Sequence, residues 1–297
     1  MSVVALDLTL PEGEESSVVT DDGAALGVTV AGPVDGADAK GPTVVFAHGW
    51  TNNRSVWAPA AKELLVEGHW VVLYDQRRHG ASTTGDDAPH VKRLGADLAC
   101  VLDQLELTDV VLVGHSMGGF TTLAFACGHP DELAARVRGL VLVSTAAHGV
   151  GFGRFGPAMS SVLGPVLDWA VASPRVGSAV MRRMMGRKPN GTHISSTREM
   201  YLATPRHVRA DCFNGFGSMD FRADLASLPL PLPLPTAVLV GRRDRLTPPR
   251  LGRTIASAIP GATFEVLPEA GHMLPLERPD EVLAAIRRVA LAGERPS

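Results

Sequence analysis

Two patterns of apolar residues alternate along the first half of the chain. Thr43-Val44-Val45-Phe46-Ala47 is apolar at nearly every position, and Trp70 to Tyr74, Val110 to Val113 and Leu140 to Val143 read the same way. A strand without polar alternation is buried on both faces, which favours a parallel sheet covered by helices. Between these runs lie segments with helical spacing. Val56 to Glu67 is one. Val91 to Leu107 is another, with Lys92, Arg93, Asp97, Asp103 and Glu106 set against Leu94, Leu98, Val101, Leu102 and Leu105. Gly118 to Cys127 is largely apolar and is expected to be a central helix. Strands alternating with helices imply an α/β fold with right-handed crossovers. Ahead of them, Ser17 to Thr20 and Ala25 to Ala31 flank Asp21-Asp22-Gly23, a hairpin signal.

The alternation stops after Leu140 to Val143. The next clear strand is Ala237 to Val240, and the residues between carry helix-like segments such as Gly164 to Ala172 and Val176 to Met185. A structureless loop of that length is improbable inside a compact domain. Residues 146–235 are therefore expected to form a helical cap over the C-terminal edge of the sheet. The stretch ends in Pro229-Leu230-Pro231-Leu232-Pro233-Leu234-Pro235, which is expected to run as an extended, stiff connector. A helix over Thr247 to Ala258, a strand over Thr263 to Leu267 and a helix over Asp280 to Leu291 complete the core, which comprises 1–145 and 236–297.

Composition narrows the function classes. A net charge of −3 gives no global field for nucleic acid or membrane surfaces. No apolar run approaches the roughly 18 residues that span a bilayer. The N-terminus lacks the basic and apolar regions of a secretory signal, and Cys100, Cys127 and Cys212 are an odd count with no metal-type spacing. Together these point to a reduced, cytoplasmic setting and no cofactor. Whether the chain is a monomer or a homodimer is left open.

The chemistry concentrates at Gly114-His115-Ser116-Met117-Gly118. Gly-x-Ser-x-Gly between a buried strand and a helix is a nucleophile elbow, whose strained serine needs small residues two before and two after. A serine hydroxyl needs a base and an orienting acid. His272, just past the last strand, is the candidate base. Asp244, after the preceding strand, is the candidate acid, with a helix-capping role near Thr247 as the plain alternative and Asp220 and Asp224 as weaker candidates. Donors for a developing oxyanion are expected from the Met117 and Trp50 amides. His48, Gly49, Trp50 and Met273 are expected to line the substrate pocket; the Trp50 ring fits either the pocket or packing beneath the cap.

With these pieces in order, the chain resembles the α/β-hydrolase superfamily in its cap-bearing, serine esterase-like branch. The resemblance rests on His48-Gly49-Trp50, Asp75 to Ser82, Gly114 to Gly119, Gly241 to Pro248 and Gly271 to Pro279. It implies a mostly parallel sheet of about eight strands with helices on both faces, an acyl-enzyme on Ser116 and a small-molecule ester, lactone or monoacylglycerol as substrate. Arg78 departs from the family, which usually has glycine there, and Asp75 is expected to pair with Arg77. Relatives with other chemistry include carbon–carbon bond hydrolases, which often carry an aromatic where this chain has Met273, and cofactor-free perhydrolases. A ligand receptor that retains the triad is the rival outside enzymes.

The expected cap is basic. From Arg175 to Arg209 there are eight basic side chains and one acid, Glu199. A solvated outer face is the plain reading, and a port for acidic or amphiphilic substrates the sharper one. Met159, Met181, Met184, Met185, Met200 and Met219 suggest adaptable apolar packing, in the cap core or in the pocket wall.

Overall fold

A computed structural model describes residues 7–33, 39–149, 156–228 and 234–292. Eight strands form one sheet: β1 (Glu14–Val19), β2 (Ala25–Ala31), β3 (Thr43–Ala47), β4 (Val71–Tyr74), β5 (Val110–His115), β6 (Val137–Val143), β7 (Thr236–Gly241) and β8 (Thr263–Leu267). Their order across the sheet is β1-β2-β4-β3-β5-β6-β7-β8. β1 pairs antiparallel with β2, and β2 with β4; every later pairing is parallel. The expected hairpin turns at Gly23, whose φ of 83° suits glycine.

The unbroken apolar runs follow from burial on both faces. In β3, Val45 and Ala47 join one core while Val44 and Phe46 join the other. α2 (Val91–Gln104), α3 (Met117–Gly128) and α10 (Pro249–Ala258) cover the first face. α1 (Ala58–Val66) and α12 (Pro279–Ala292) cover the second. A short helix before β6, α4 (Pro130–Arg136), was not anticipated; Pro130 opens its first turn and Arg136 closes its last. α11 (Leu274–Glu277) is a single turn ahead of α12.

Between β6 and β7 the described residues hold five helices: α5 (Gly156–Ala172), α6 (Pro174–Arg182), α7 (Gly191–Ala203), α8 (Arg206–Phe216) and α9 (Arg222–Ala226). Three more helices occur here than the apolar spacing suggested: α9 is very short, and the buried positions of α7 and α8 include polar His193, Thr197 and Arg209, so no apolar stripe marks them. They divide between the two cores. Val208, Cys212 and Phe216 of α8 and Leu225 of α9 continue the first. Val171, Met181, Ile194, Met200 and Tyr201 continue the second. Met181, Met185, Met200 and Met219 are core residues; the Met159 side chain and most of the proline-rich connector lie outside the described residues. Among the described residues no helix is long and apolar enough to cross a membrane.

The expected Asp75–Arg77 pair is not formed. Asp75 instead accepts from the Arg54 amide at 2.7 Å and the Ala81 amide at 2.9 Å, with Arg54 Nη1 at 3.3 Å. Arg77 is fully buried and reaches the other way, between Asp97 (2.5 and 2.7 Å) and Asp22 (2.9 and 3.0 Å). A planar guanidinium fork can serve two carboxylates at once, which a local contact to Asp75 would forgo. The turn that follows is retained despite Arg78. Its φ is 66°, a left-handed value that costs a non-glycine residue about 1–2 kcal/mol, and its side chain pairs with Asp211 of α8 at 2.9 Å.

Candidate active site

Ser116 sits where β5 ends and α3 begins, with φ 52° and ψ −114°. Its surroundings explain the glycines. A Cβ on Gly114 would lie 2.4 Å from the Gly118 carbonyl oxygen, and one on Gly118 would lie 2.1 Å from that of Ala47. The turn is bonded on both sides. Ser116 N donates to Val143 O at 2.9 Å, and Thr145 Oγ1 donates to Ser116 O at 2.8 Å. As the first residue of α3, Met117 has an amide that no carbonyl of the preceding helical turn can satisfy.

The three residues nominated from sequence come together. His272 Nε2 lies 3.0 Å from Ser116 Oγ, and His272 Nδ1 lies 2.8 Å from Asp244 Oδ2. A carboxylate only accepts, so Nδ1 carries the proton and Nε2 is open to the serine hydroxyl. Burial alone would raise the Asp244 carboxyl. The facing imidazole and bonds from Thr247 outweigh it and leave Asp244 below the ordinary carboxylate range. Oδ1 accepts from the Leu246 and Thr247 amides at 2.9 and 2.8 Å, and Oδ2 accepts from Thr247 Oγ1 at 2.8 Å. Asp244 does not cap the next helix: α10 starts at Pro249 with Pro248 before it. The other two acids are elsewhere. Asp220 is exposed and pairs with Arg222 at 2.6 Å, and Asp224 is exposed in the first turn of α9.

The backbone of His272 is held from four directions, by residues that motif reading passed over. Its N–H donates to Met184 O at 2.7 Å, and its carbonyl accepts from His115 Nε2 at 2.9 Å. His115 is fully buried, which pushes its imidazole down to about 3 and keeps it neutral. Glu277 then gathers the amides on either side of the histidine, Gly271 at 3.1 Å and Met273 at 3.1 Å, together with Gly186 N at 2.6 Å. Burial raises the Glu277 carboxyl above its ordinary value despite those three donors. The sequence signal was present: Glu277 falls in the same matched stretch as His272, but spacing alone gives it no target.

The loop after β3 is fixed by two more neutral histidines. His48 was expected to line the substrate pocket; it is instead fully buried behind the loop. Its Nδ1 donates to Gly49 O at 2.8 Å and its Nε2 accepts from Gln76 N at 3.0 Å. Burial lowers His48 to about 4 and His79 to about 3. His79 Nε2 accepts from Thr51 N at 3.2 Å, which steadies a residue whose φ is 60°.

A cavity of about 450 Å³ opens at Ser116 and His272. Gly49, Trp50 and Met273 line it, joined by Met184, Phe120, Phe213 and Phe216. The Trp50 ring does both things considered for it. It borders the cavity and packs against Phe213 (5.6 Å), Phe216 (6.4 Å) and Tyr201 (6.3 Å) of the overlying helices.

The chain is 28% identical over 251 residues to a non-heme chloroperoxidase of Kitasatospora aureofaciens, covering 78% of this chain and 86% of that protein. It is 26% identical over 257 residues to an sn-1-specific diacylglycerol lipase of Mus musculus, covering 84% and 81%. Among solved structures, a thermophilic esterase from Thermogutta terrifontis superposes with a TM-score of 0.76 at 25% identity, covering 95% of this chain and 100% of that one. A family profile described as the alpha/beta hydrolase family matches residues 44–285. An eight-stranded sheet with this strand order, a serine at its strand-to-helix elbow and a match across most of the length make this chain a member of the alpha/beta hydrolase family.

Proposed function

We propose that the protein is a serine hydrolase of carboxylic esters. Ser116 Oγ attacks the ester carbonyl while His272 Nε2 takes its proton. His272 returns that proton to the departing alcohol, leaving an acyl-enzyme. Water, deprotonated by His272, then releases the acid and restores the serine. Asp244 keeps the imidazole in the required tautomer and stabilises its cation. The Trp50 and Met117 amides receive the oxyanion. Residues 146–235 act as the cap, closing an aromatic pocket over the acyl or alcohol group. Lactones and monoacylglycerols are the nearest variants of the substrate.

The single observation that carries this reading is the unbroken chain of contacts Asp244–His272–Ser116 at 2.8 and 3.0 Å, opening into an apolar cavity. A panel of p-nitrophenyl esters tests it: turnover that depends on acyl length and vanishes in Ser116→Ala is expected. No Ser116-dependent turnover at any length would favour a ligand receptor. The similarity to a chloroperoxidase supports one second reading, in which hydrogen peroxide replaces water at the acyl-enzyme and a peracid leaves. Peracid formation from acetate and peroxide by wild type, lost in Ser116→Ala, distinguishes it.

A further inference from the structure

Beside the apolar cavity lies a second one of about 440 Å³ with a different wall. Five arginines line it. Arg182 and Arg183 come from the end of α6, and Arg242, Arg243 and Arg245 from the loop after β7. All five are exposed at the surface. Arg243 faces Glu269 at 3.6 Å, a carboxylate it shares with Arg187 at 3.5 Å. Among the described residues the other four form no ion pair. Asp244 also borders this cavity and contributes one negative charge against five, while its oxygens are bonded to Leu246, Thr247 and His272 and not to the arginines.

The two cavities are neighbours through named residues. Arg245 lines both, and consecutive residues Met184 and Met185 line one each. Arg250 adds a further exposed cation at the edge of the apolar cavity. Other cap arginines have structural partners. Arg198 donates to Val171 O and Ala172 O, and Arg209 pairs with Asp168 at 2.6 Å. At this cavity, four arginines without an ion pair among the described residues meet in one place.

Five guanidinium groups facing one space repel each other. A multi-oxygen anion relieves that repulsion and meets their planar donors with charge-assisted, often bidentate bonds. Their field reaches about 8 Å at physiological ionic strength, enough to act across the shared wall.

We propose that this arginine cavity binds a carboxylate or phosphate carried by the substrate, whose ester group lies at Ser116. The proposal rests on the ester-hydrolase reading. It makes the preferred substrate an anionic ester with an apolar spacer, the spacer in the aromatic cavity and the anion at Arg182, Arg183, Arg242 and Arg245.

The test compares monomethyl dicarboxylates of graded length, and methyl esters of phosphate-terminated acids, with methyl alkanoates of matched length, following methanol release. Wild type should favour one anionic series by about tenfold or more in kcat/KM at low salt, and the preference should shrink as salt rises. The series that wins identifies the anion. Arg182→Gln/Arg183→Gln and Arg242→Gln/Arg245→Gln should each lower the anionic-to-neutral ratio of kcat/KM by about tenfold. Equal losses for both ester types, or no preference in wild type, would overturn the proposal. Adipate and inorganic phosphate titrated calorimetrically into Ser116→Ala test the cavity without turnover. Saturable, salt-sensitive binding that the arginine pairs abolish supports it, and no binding of either anion contradicts it. Anion binding in a protein that cleaves neither ester class would retire the hydrolase reading and leave the cavity standing.

Discussion

The rim of the sheet and the helices above it are built in different ways. On the rim, polar atoms are tied one by one. Asp244 accepts from two amides and a hydroxyl, His272 is bonded through both its N–H and its carbonyl, and the loop after β3 rests on two buried neutral histidines. Above it, the helices rest on apolar surface and meet the core at Trp50 and at a few polar ties. These include Met184 O to His272 N, Gly186 N to Glu277, and Asp211 to Arg78. A network of directional bonds holds atoms to fractions of an ångström, as proton transfer requires. Apolar packing tolerates exchange of one side chain for another of similar volume, as a substrate pocket under selection requires. The comparison teaches that reaction chemistry and substrate choice can vary separately in this molecule, and that Glu277 belongs to both regions.

The largest break should come on the rim. Asp244→Asn keeps the contacts but reverses the donor to His272, and kcat should fall by about 10⁴-fold with little change in KM. The same variant has a pH signature. A depressed carboxyl adds stability that is present above the unfolded carboxylate pKa and lost as pH falls through the lower, folded one. The difference in Tm between wild type and Asp244→Asn should therefore narrow as pH is lowered through and below the ordinary carboxylate range. A constant gap would remove the charge from the account.

Glu277→Gln comes next, because it loosens the rim and the segment above it together. One amide oxygen cannot serve Gly271, Met273 and Gly186 as the carboxylate does, and kcat should fall on the order of tenfold to a hundredfold. Glu277→Asp should recover part of that loss. A change in KM alone would tie Glu277 to the helices above the sheet and not to the base. Phe213→Ala removes a ring of α8 that lines the cavity and packs on Trp50. It should raise KM for long-chain esters several-fold while short-chain esters stay within about twofold. The smallest effect belongs to Arg78→Gly. Relief of the left-handed backbone offsets loss of an exposed ion pair, so stability should move by no more than about 1 kcal/mol in denaturant titration.

Legibility in the sequence follows the same division. The elbow could be read because Gly114 and Gly118 are required by backbone atoms within 2.4 Å of any added Cβ, and such demands leave fixed spacing. Ser116, Asp244 and His272 each follow a strand of the parallel sheet, so the order of strands placed them on one edge. His48 was misplaced because its residue type suits both a pocket and a buried hydrogen-bonding post, and burial is invisible in spacing. Arg77 was assigned the wrong partner because Asp97 lies on a helix across the core, a contact of tertiary origin. The helices α7 and α8 escaped notice because polar His193, Thr197 and Arg209 share their buried faces, which leaves no continuous apolar stripe.

The central claim is that the Asp244–His272 pair activates Ser116. A fluorophosphonate probe followed by peptide mass spectrometry tests it most directly. The account predicts stoichiometric modification of the peptide carrying Ser116, abolished in Ser116→Ala and strongly slowed in His272→Ala. Modification at another residue, or labelling of Ser116 that His272→Ala leaves at the wild-type rate, would contradict it.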